Sequence, residues 1–419
     1  MGGGGLERTG GEGGVGTATV TRRAADRLRA GHLWVYRSDL QEFGRADGPA
    51  GGDLVSVQDG RGIPLGTGLY SAGSEIAVRM VARVPGVGRG EYLVEVRRRL
   101  AEAVDLRGAI APVSGENDAR RLVFGEADGL PGMVVDQYGD LCVVQLLVQG
   151  TARGDVREVL AESLRRVFPE GAGTIWERTD SRIREIEGLE RLTEGPMWAG
   201  GEARAETVFT VNGIRFHYDA GAGQKTGAFL DQRLNYAAAA GHARGRALDV
   251  CTYQGGFALH LARACERVTG VDASRSALEV ADRNLDLNRD RVSGAVDWIE
   301  ADAFELLRAY DEAGERFGAI VLDPPAFAKS QRAAGGALRG YKELNLRAMR
   351  MLEPGGTLVT CSCSHHVSLE EFLGVLGAAG LDAGRRVQVL ETRGAAPDHP
   401  SVLGLPETTY LKCVICRAG

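Results

Sequence analysis

The stretch Leu248-Asp249-Val250-Cys251-Thr252-Tyr253-Gln254-Gly255-Gly256-Phe257 decides how the chain is read. An apolar run ends in an acid and two glycines follow. Phe257 to Ala262 then continues as an amphipathic run. The pattern predicts strand, tight turn and helix, a junction where backbone approaches a ligand closely. A second buried run, 267–272, also ends in an acid, Asp272, which is placed to accept hydrogen bonds from a ribose. The pair points to a bound nucleoside.

Working outward, the alternation continues to the end of the chain. Strands are expected to end at Asp249, Asp272, Glu300, Asp323 and Cys363, with helices such as 274–288 and 341–352 between them. Two more strands are expected at 387–391 and 410–416. Five βα units followed by a strand pair predict an α/β fold, a Rossmann-like parallel sheet with helices on both faces. In such a sheet the terminal acids and Cys363 gather at one edge, where ligands bind.

Each acid has two readings. Asp302 either hydrogen-bonds an adenine amino group or caps a helix, and the same choice holds for Asp272. The run Asp323-Pro324-Pro325-Ala326-Phe327 is either a stiff loop or a rigid turn that offers Asp323 to a base amine and Phe327 to a ring. Cys363 is a candidate nucleophile, with a buried structural thiol as the alternative. A dinucleotide is disfavoured because G-x-G-x-x-G spacing is absent. A P-loop at 223–227 is rejected because Gln224 stands where glycine must precede Lys225.

Upstream, 18–92 is expected to be a small β-rich barrel and 93–205 an α+β middle domain with helices at 91–107 and 153–167. Residues 206–419 begin with a hairpin around Asn212-Gly213 and run into the parallel sheet. Residues 1–17 are glycine-rich and are expected to be a disordered tail. Arg22, Arg23, Arg27 and Arg29 precede Trp34 and Tyr36. They either contact phosphates and stack bases or belong to a small core.

Composition sets the broad class. The 419 residues are 44% hydrophobic and 25% charged, with a net charge of −6. No apolar run is long enough for a membrane span. The first hundred residues carry a net +3, from fourteen arginines against eleven acids, which leaves −9 for the rest. Seven cysteines without a secretion signal predict reduced thiols and a cytoplasmic protein. Cys413-Val-Ile-Cys416 lies in an apolar run and is read as a strand, with no metal.

Taken together, 248–257, Val271-Asp272, Asp302, the Asp-Pro-Pro-Ala-Phe turn and Cys361-Ser362-Cys363-Ser364 resemble the motifs of class I S-adenosylmethionine-dependent methyltransferases. More narrowly, the chain resembles the RlmI-type 23S ribosomal RNA 5-methylcytosine methyltransferases. Gly31 to Tyr36 is similar to that family's RNA-binding PUA domain, Phe124 to Gly132 to its central EEHEE domain, and Gly223 to Arg233 to the segment before its catalytic sheet.

The resemblance implies S-adenosyl-L-methionine as cofactor, held by Asp249, Tyr253, Gly255, Gly256, Asp272 and Asp302, with Asp231 and Arg233. It implies Cys363 attacking C6 of a cytosine and Asp323 binding the pyrimidine edge. Pro324, Pro325, Phe327, Arg22, Arg23 and Trp34 would contact substrate. The partner would be 23S ribosomal RNA or a large-subunit precursor, with a homodimer as a further expectation.

Two departures stand out. Pro325 and Ala326 occupy the region where many RNA cytosine methyltransferases carry a second cysteine, so the proton-removing group is unassigned. Ala326 also replaces a common lysine. The rival readings are amino-group methylation of a purine, which needs no cysteine, and an RNA-binding assembly factor without activity.

Overall fold

The computed structural model describes residues 16–44, 48–179, 182–221, 228–327 and 334–419. Most of the glycine-rich tail and the 223–227 segment lie outside the described residues.

The first sheet has six strands: β1 (Gly16–Val20), β2 (Trp34–Tyr36), β3 (Leu40–Phe43), β4 (Leu54–Asp59), β5 (Pro64–Tyr70) and β6 (Ile76–Ala82), in the order β2-β6-β5-β4-β1-β3. Alternate residues Val55 and Val57 of β4 are fully buried, against Ala18 and Val20 of β1. The basic run forms a helix, α1 (Arg22–Arg29), capped by Thr21. Arg27 pairs with Asp39 and Arg29 with Asp59, while Arg22 and Arg23 are exposed. Half of the arginine cluster therefore holds this sheet together.

Helix α2 (Arg89–Ile110) follows, longer than the expected 91–107 because Glu91 accepts from the Gly88 amide and closes its first turn. It packs with α3 (Gly154–Leu164) on a five-stranded sheet, β7 (Ala119–Phe124), β8 (Met133–Tyr138), β9 (Leu141–Leu146), β10 (Thr174–Glu177) and β11 (Gly195–Ala199). A short helix, α4 (Arg182–Ile186), lies between the last two strands. The hairpin β12 (Glu206–Val211) and β13 (Ile214–Asp219) turns at Asn212 and Gly213, both at positive φ (49° and 79°). Such a turn matches the twist of the flanking strands. Tyr218 stacks on Tyr138 at 4.1 Å, so the hairpin joins the middle sheet to the last one.

That last sheet has seven strands in the order β16-β15-β14-β17-β18-β20-β19. Its elements are α5 (Arg233–His242), β14 (Arg246–Val250), α6 (Gly256–Leu261), β15 (Arg267–Asp272), α7 (Arg275–Leu287), β16 (Ala295–Glu300) and α8 (Ala303–Ala313). They continue with β17 (Phe317–Leu322), α9 (Ala334–Met351), β18 (Leu352–Ser362), α10 (Leu369–Asp382), β19 (Val387–Arg393) and β20 (Lys412–Ala418). Strands β14 to β18 are parallel, and β20 is antiparallel to both its neighbours. All six residues of β17 are buried, as a central strand covered on both faces requires. The chain reverses direction across the sheet between β14 and β17, which opens a crevice at their carboxyl ends.

Three of the five strand ends differ from expectation. Asp249 lies inside β14, Asp323 one residue past β17 and Cys363 one residue past β18. Helix α9 begins well before 341. Among the described residues no helix is long and apolar enough to cross a membrane.

The segment between β19 and β20 ties the three sheets together. His32 lies 3.6 Å from Glu407, and the Arg107 guanidinium donates to the Asp398 carbonyl at 3.0 Å. The Asp398 carboxylate accepts from the Arg121 amide, and Tyr410 donates to Asp231.

Candidate active site

A cavity of about 1170 Å³ opens at the carboxyl ends of the parallel strands. One end is the loop quoted at the outset. Cys251 (φ 65°), Tyr253 (φ 52°) and Gly255 (φ 86°) all take left-handed backbone there. For the two non-glycine residues this costs about 1–2 kcal/mol each, strain that surrounding contacts must hold. Asp249 supplies them: its Oδ2 accepts from the Thr252 hydroxyl (2.5 Å) and the Ala258 amide (2.9 Å).

Asp249 is fully buried, and burial pushes its carboxyl up to about 7. Neither Asp249 nor Gly255 lines the cavity. The resemblance implied that both hold the cofactor; in this structure both stand behind the cavity wall. Asp249 braces the loop from behind, because its place inside β14 points it into the core. A Cβ on Gly255 would meet Trp298 at 3.0 Å, so its space is taken from behind as well.

Tyr253, Gly256, Asp272 and Asp302 do line the cavity. A Cβ on Gly256 would sit 2.7 Å from the buried Tyr236 ring, so only glycine fits. Asp272 accepts from the Tyr253 and Ser274 amides, both at 2.9 Å, which locks its carboxylate at the strand end. Asp302 caps α8 through Oδ1, accepting from Phe304 (2.9 Å) and Glu305 (3.1 Å). The capping reading and the cavity reading thus hold together for Asp302. Half-exposed carboxylates beside the apolar walls of Val271 and Phe304 fit a nucleoside bearing hydroxyls and an amine.

The other end gathers Asp231, Arg233, Asp323, Pro324, Pro325, Phe327, Cys363 and Tyr410. The Cys363 sulfur lies 3.9 Å from the Pro324 carbonyl, next in the chain to Asp323. Burial, with the charges of Asp231 and Asp249, raises Asp323 to about 7, against a hydrogen bond from Gln232 Nε2 at 3.1 Å. Burial also raises the Cys363 thiol to about 11, assisted by Asp323 and Asp231 and opposed by Lys412. Burial is the larger cause, and the two carboxylates add to it more than the one cation takes away. Phe327 packs on Tyr341 (4.8 Å between centroids) and Phe304 (5.9 Å), which fixes the turn.

Arg233 lies against Asp398 at 3.4 Å, both buried. Against the push of burial, His399 and Arg233 hold Asp398 down at about 2. Arg233 therefore already has an anionic partner, and its part in the cavity wall is secondary to that pairing. Arg22, Arg23 and Trp34 lie away from the cavity. The Trp34 indole N–H donates to Glu126 at 2.9 Å, so it joins two sheets.

The sequence reading missed Gln232, Asn235, Tyr410 and Lys412. Gln232, in the turn before α5, and Asn235, in its first turns, are almost wholly buried amides, and Lys412 donates to the Ser364 and Tyr410 carbonyls. The one available signal was a lone lysine, otherwise polar, in the apolar run ending at Cys416. Cys361, by contrast, faces Cys413 across β18 and β20 and is sealed in the core.

The chain is similar to known proteins. A PUA-like domain model matches residues 18–83 and a model described as S-adenosylmethionine-dependent methyltransferase matches residues 120–408. The class is thus a methyltransferase using S-adenosylmethionine, with a PUA-like domain ahead of it. A methyltransferase of Streptococcus mutans aligns with a TM-score of 0.77 at 18% identity, covering 96% of this chain and 99% of its own. A methyltransferase solved with SAH aligns with a TM-score of 0.78 at 17% identity, with the same coverage; both show the fold.

Curated relatives are closer in sequence. "Ribosomal RNA large subunit methyltransferase I" of Klebsiella pneumoniae is 38% identical over 391 residues, 92% of this chain and 94% of the relative. Its namesake in Serratia proteamaculans is 37% identical over 390 residues, 92% and 95%. The chain belongs to the family of ribosomal RNA large subunit methyltransferase I.

Proposed function

We propose that this protein methylates C5 of a cytosine in large-subunit ribosomal RNA, through a transient bond between Cys363 Sγ and C6 of the base. The observation that carries the reading is the meeting of a thiol and a carboxyl group at one cavity wall, with Cys363 Sγ 3.9 Å from the Pro324 carbonyl beside Asp323. The names of the relatives supply the RNA class.

Tyr253, Gly256, Asp272 and Asp302 would hold S-adenosylmethionine, which supplies an electrophilic methyl group. The chain does the rest. Cys363 gives its thiol proton to the Asp323 carboxylate as its sulfur adds to C6, and the electrons of the C5=C6 bond become available at C5 and along the ring edge. Asp323 meets the charge that develops on that edge; with its pKa near 7 it can hold a proton there at neutral pH. When Asp323 is protonated, one of the two carboxylate charges that oppose the thiolate is removed. Lys412 remains to favour it. Pro324 and Pro325 keep the turn rigid. Arg22 and Arg23, exposed on α1, would contact RNA phosphates.

Replacing Cys363 by alanine tests the reading. Methyl transfer to ribosomal RNA should fall by about 10,000-fold or more, with S-adenosylmethionine binding retained. Undiminished transfer would refute it and favour amino-group methylation of a purine. Absence of cofactor binding in the unmodified protein would favour a non-catalytic assembly factor.

A further inference from the structure

Adding a methyl group at C5 leaves a proton on the same carbon. A base must remove it before the enzyme can leave, and no second cysteine stands in the Asp-Pro-Pro-Ala-Phe turn. We propose that Asp231 is that base, a catalytic role in place of the cofactor contact that sequence resemblance implied. The proposal rests on the covalent C5 reading above.

The cavity holds few alternatives. Both oxygens of Asp272 are engaged by backbone amides at the nucleoside end. Asp302 caps α8. Asp323 is pinned through Oδ2 by Gln232 and serves the ring edge. Lys412 donates to two carbonyls, and neither it nor His365 lines the cavity. Glu279, a further carboxylate of the lining, pairs with Arg275 along α7 at 3.4 Å. Asp231 remains, and its surroundings suit the task.

It stands in the short turn Leu230–Gln232, immediately before the residue that holds Asp323. Its backbone carbonyl accepts from the Ala396 amide at 2.8 Å, which fixes the turn. Its Oδ2 accepts from the Tyr410 hydroxyl at 2.5 Å, and among the described residues nothing bonds Oδ1. Its charge acts on both Cys363 and Asp323, so the three groups share one small region. Burial and Asp231 together push the Tyr410 phenol far up, so Tyr410 keeps its proton and stays a donor.

The step balances within the site. The C5–H bond breaks and its proton passes to Asp231 Oδ1. The electron pair left behind forms the C5=C6 bond, the C6–S bond breaks, and Cys363 leaves as thiolate.

The experiment uses the full chain, S-adenosylmethionine and a large-subunit ribosomal RNA transcript, with Asp231→Asn and Tyr410→Phe variants. Asp231→Asn should perform the methyl transfer but stall. A protein–RNA species stable to denaturant should accumulate, dependent on the cofactor and lost when Cys363→Ala is added. Multiple turnover should fall by about 100-fold or more, with cofactor affinity by calorimetry within about twofold. Tyr410→Phe should slow release less. A loss of cofactor affinity without the stable species would return Asp231 to the cofactor site and overturn the proposal, as would unchanged turnover. Activity surviving in Cys363→Ala would instead refute the covalent reading, and the proposal with it.

Discussion

Asp323→Asn should remove activity and stabilise the fold at alkaline pH. The site holds this carboxyl at about 7 instead of 3.8, chiefly through burial and then through the charges of Asp231 and Asp249. The folded chain therefore binds a proton more tightly than the unfolded chain. The cost of Asp323 is absent below the unfolded value, grows as pH rises through the folded value, and is complete above it. Three units correspond to about 4 kcal/mol. Asp323 keeps a face on the cavity and shares its field with Asp249, so about half of that, about 2 kcal/mol, is expected.

Asparagine can still accept from Gln232 Nε2, so the substitution removes the ionisation and little else. Urea unfolding of both proteins, followed by circular dichroism near pH 5 and near pH 8.5, measures the gap. The variant should gain about 1–2 kcal/mol more at the higher pH. A gap independent of pH, or a variant less stable at the higher pH, would refute the reasoning. Methyl transfer should be lost at both pH values, because an amide cannot exchange the proton.

Two further outcomes follow from the same geometry. Arg393 Nε, which can only donate, binds Asn235 Oδ1 (2.9 Å), so Asn235 Nδ2 donates to Gln232 Oε1 (2.6 Å) and Gln232 Nε2 is turned to Asp323. Gln232→Leu removes a hydrogen bond to a charged group, worth about 1.5 kcal/mol, and should move the Asp323 limb of the pH–rate profile up by about one unit; an unmoved limb would count against this relay. Gly256→Ala forces a Cβ against the Tyr236 ring and should cost about 1–3 kcal/mol together with cofactor affinity. Gly241→Ala on α5, with open space around it, should instead gain about 0.5–1 kcal/mol; calorimetry and melting of the two variants side by side would show whether space or glycine content matters.

Much of the fold could be read in advance because its signals are local. The buried run of β17 and the turn after β14 are written in neighbouring residues, and so is the hairpin at Asn212-Gly213. The turn chemistry at 255–256 needs glycine for reasons that a strand–helix junction already suggests. The site was legible in its ligand-facing residues for a similar reason: strand ends of a parallel sheet collect at one edge, whatever the details. Helix α1 escaped notice because its apolar face is small, only Ala24, Ala25 and Leu28 among arginines, and it is held by the Thr21 cap and the Arg27–Asp39 and Arg29–Asp59 pairs as well as by that face.

Sequence alone settles the α/β class, the strand–turn–helix loop and the presence of a thiol and an acid at the sheet edge, since periodicity and turn chemistry act over a few residues. It does not settle where each polar group spends its hydrogen bonds. Asp249 faced the core to brace a strained loop, and Trp34 went to Glu126, 92 positions away. Arg233 went to Asp398 across 165 positions, and Tyr410 reached Asp231 across 179. Burying a polar group is costly unless a partner is waiting, and the partners here come from other sheets and distant loops. Local turns and caps place Asp249 and Asp302, whereas the long-range pairings set what is left open on Asp231 and Asp323.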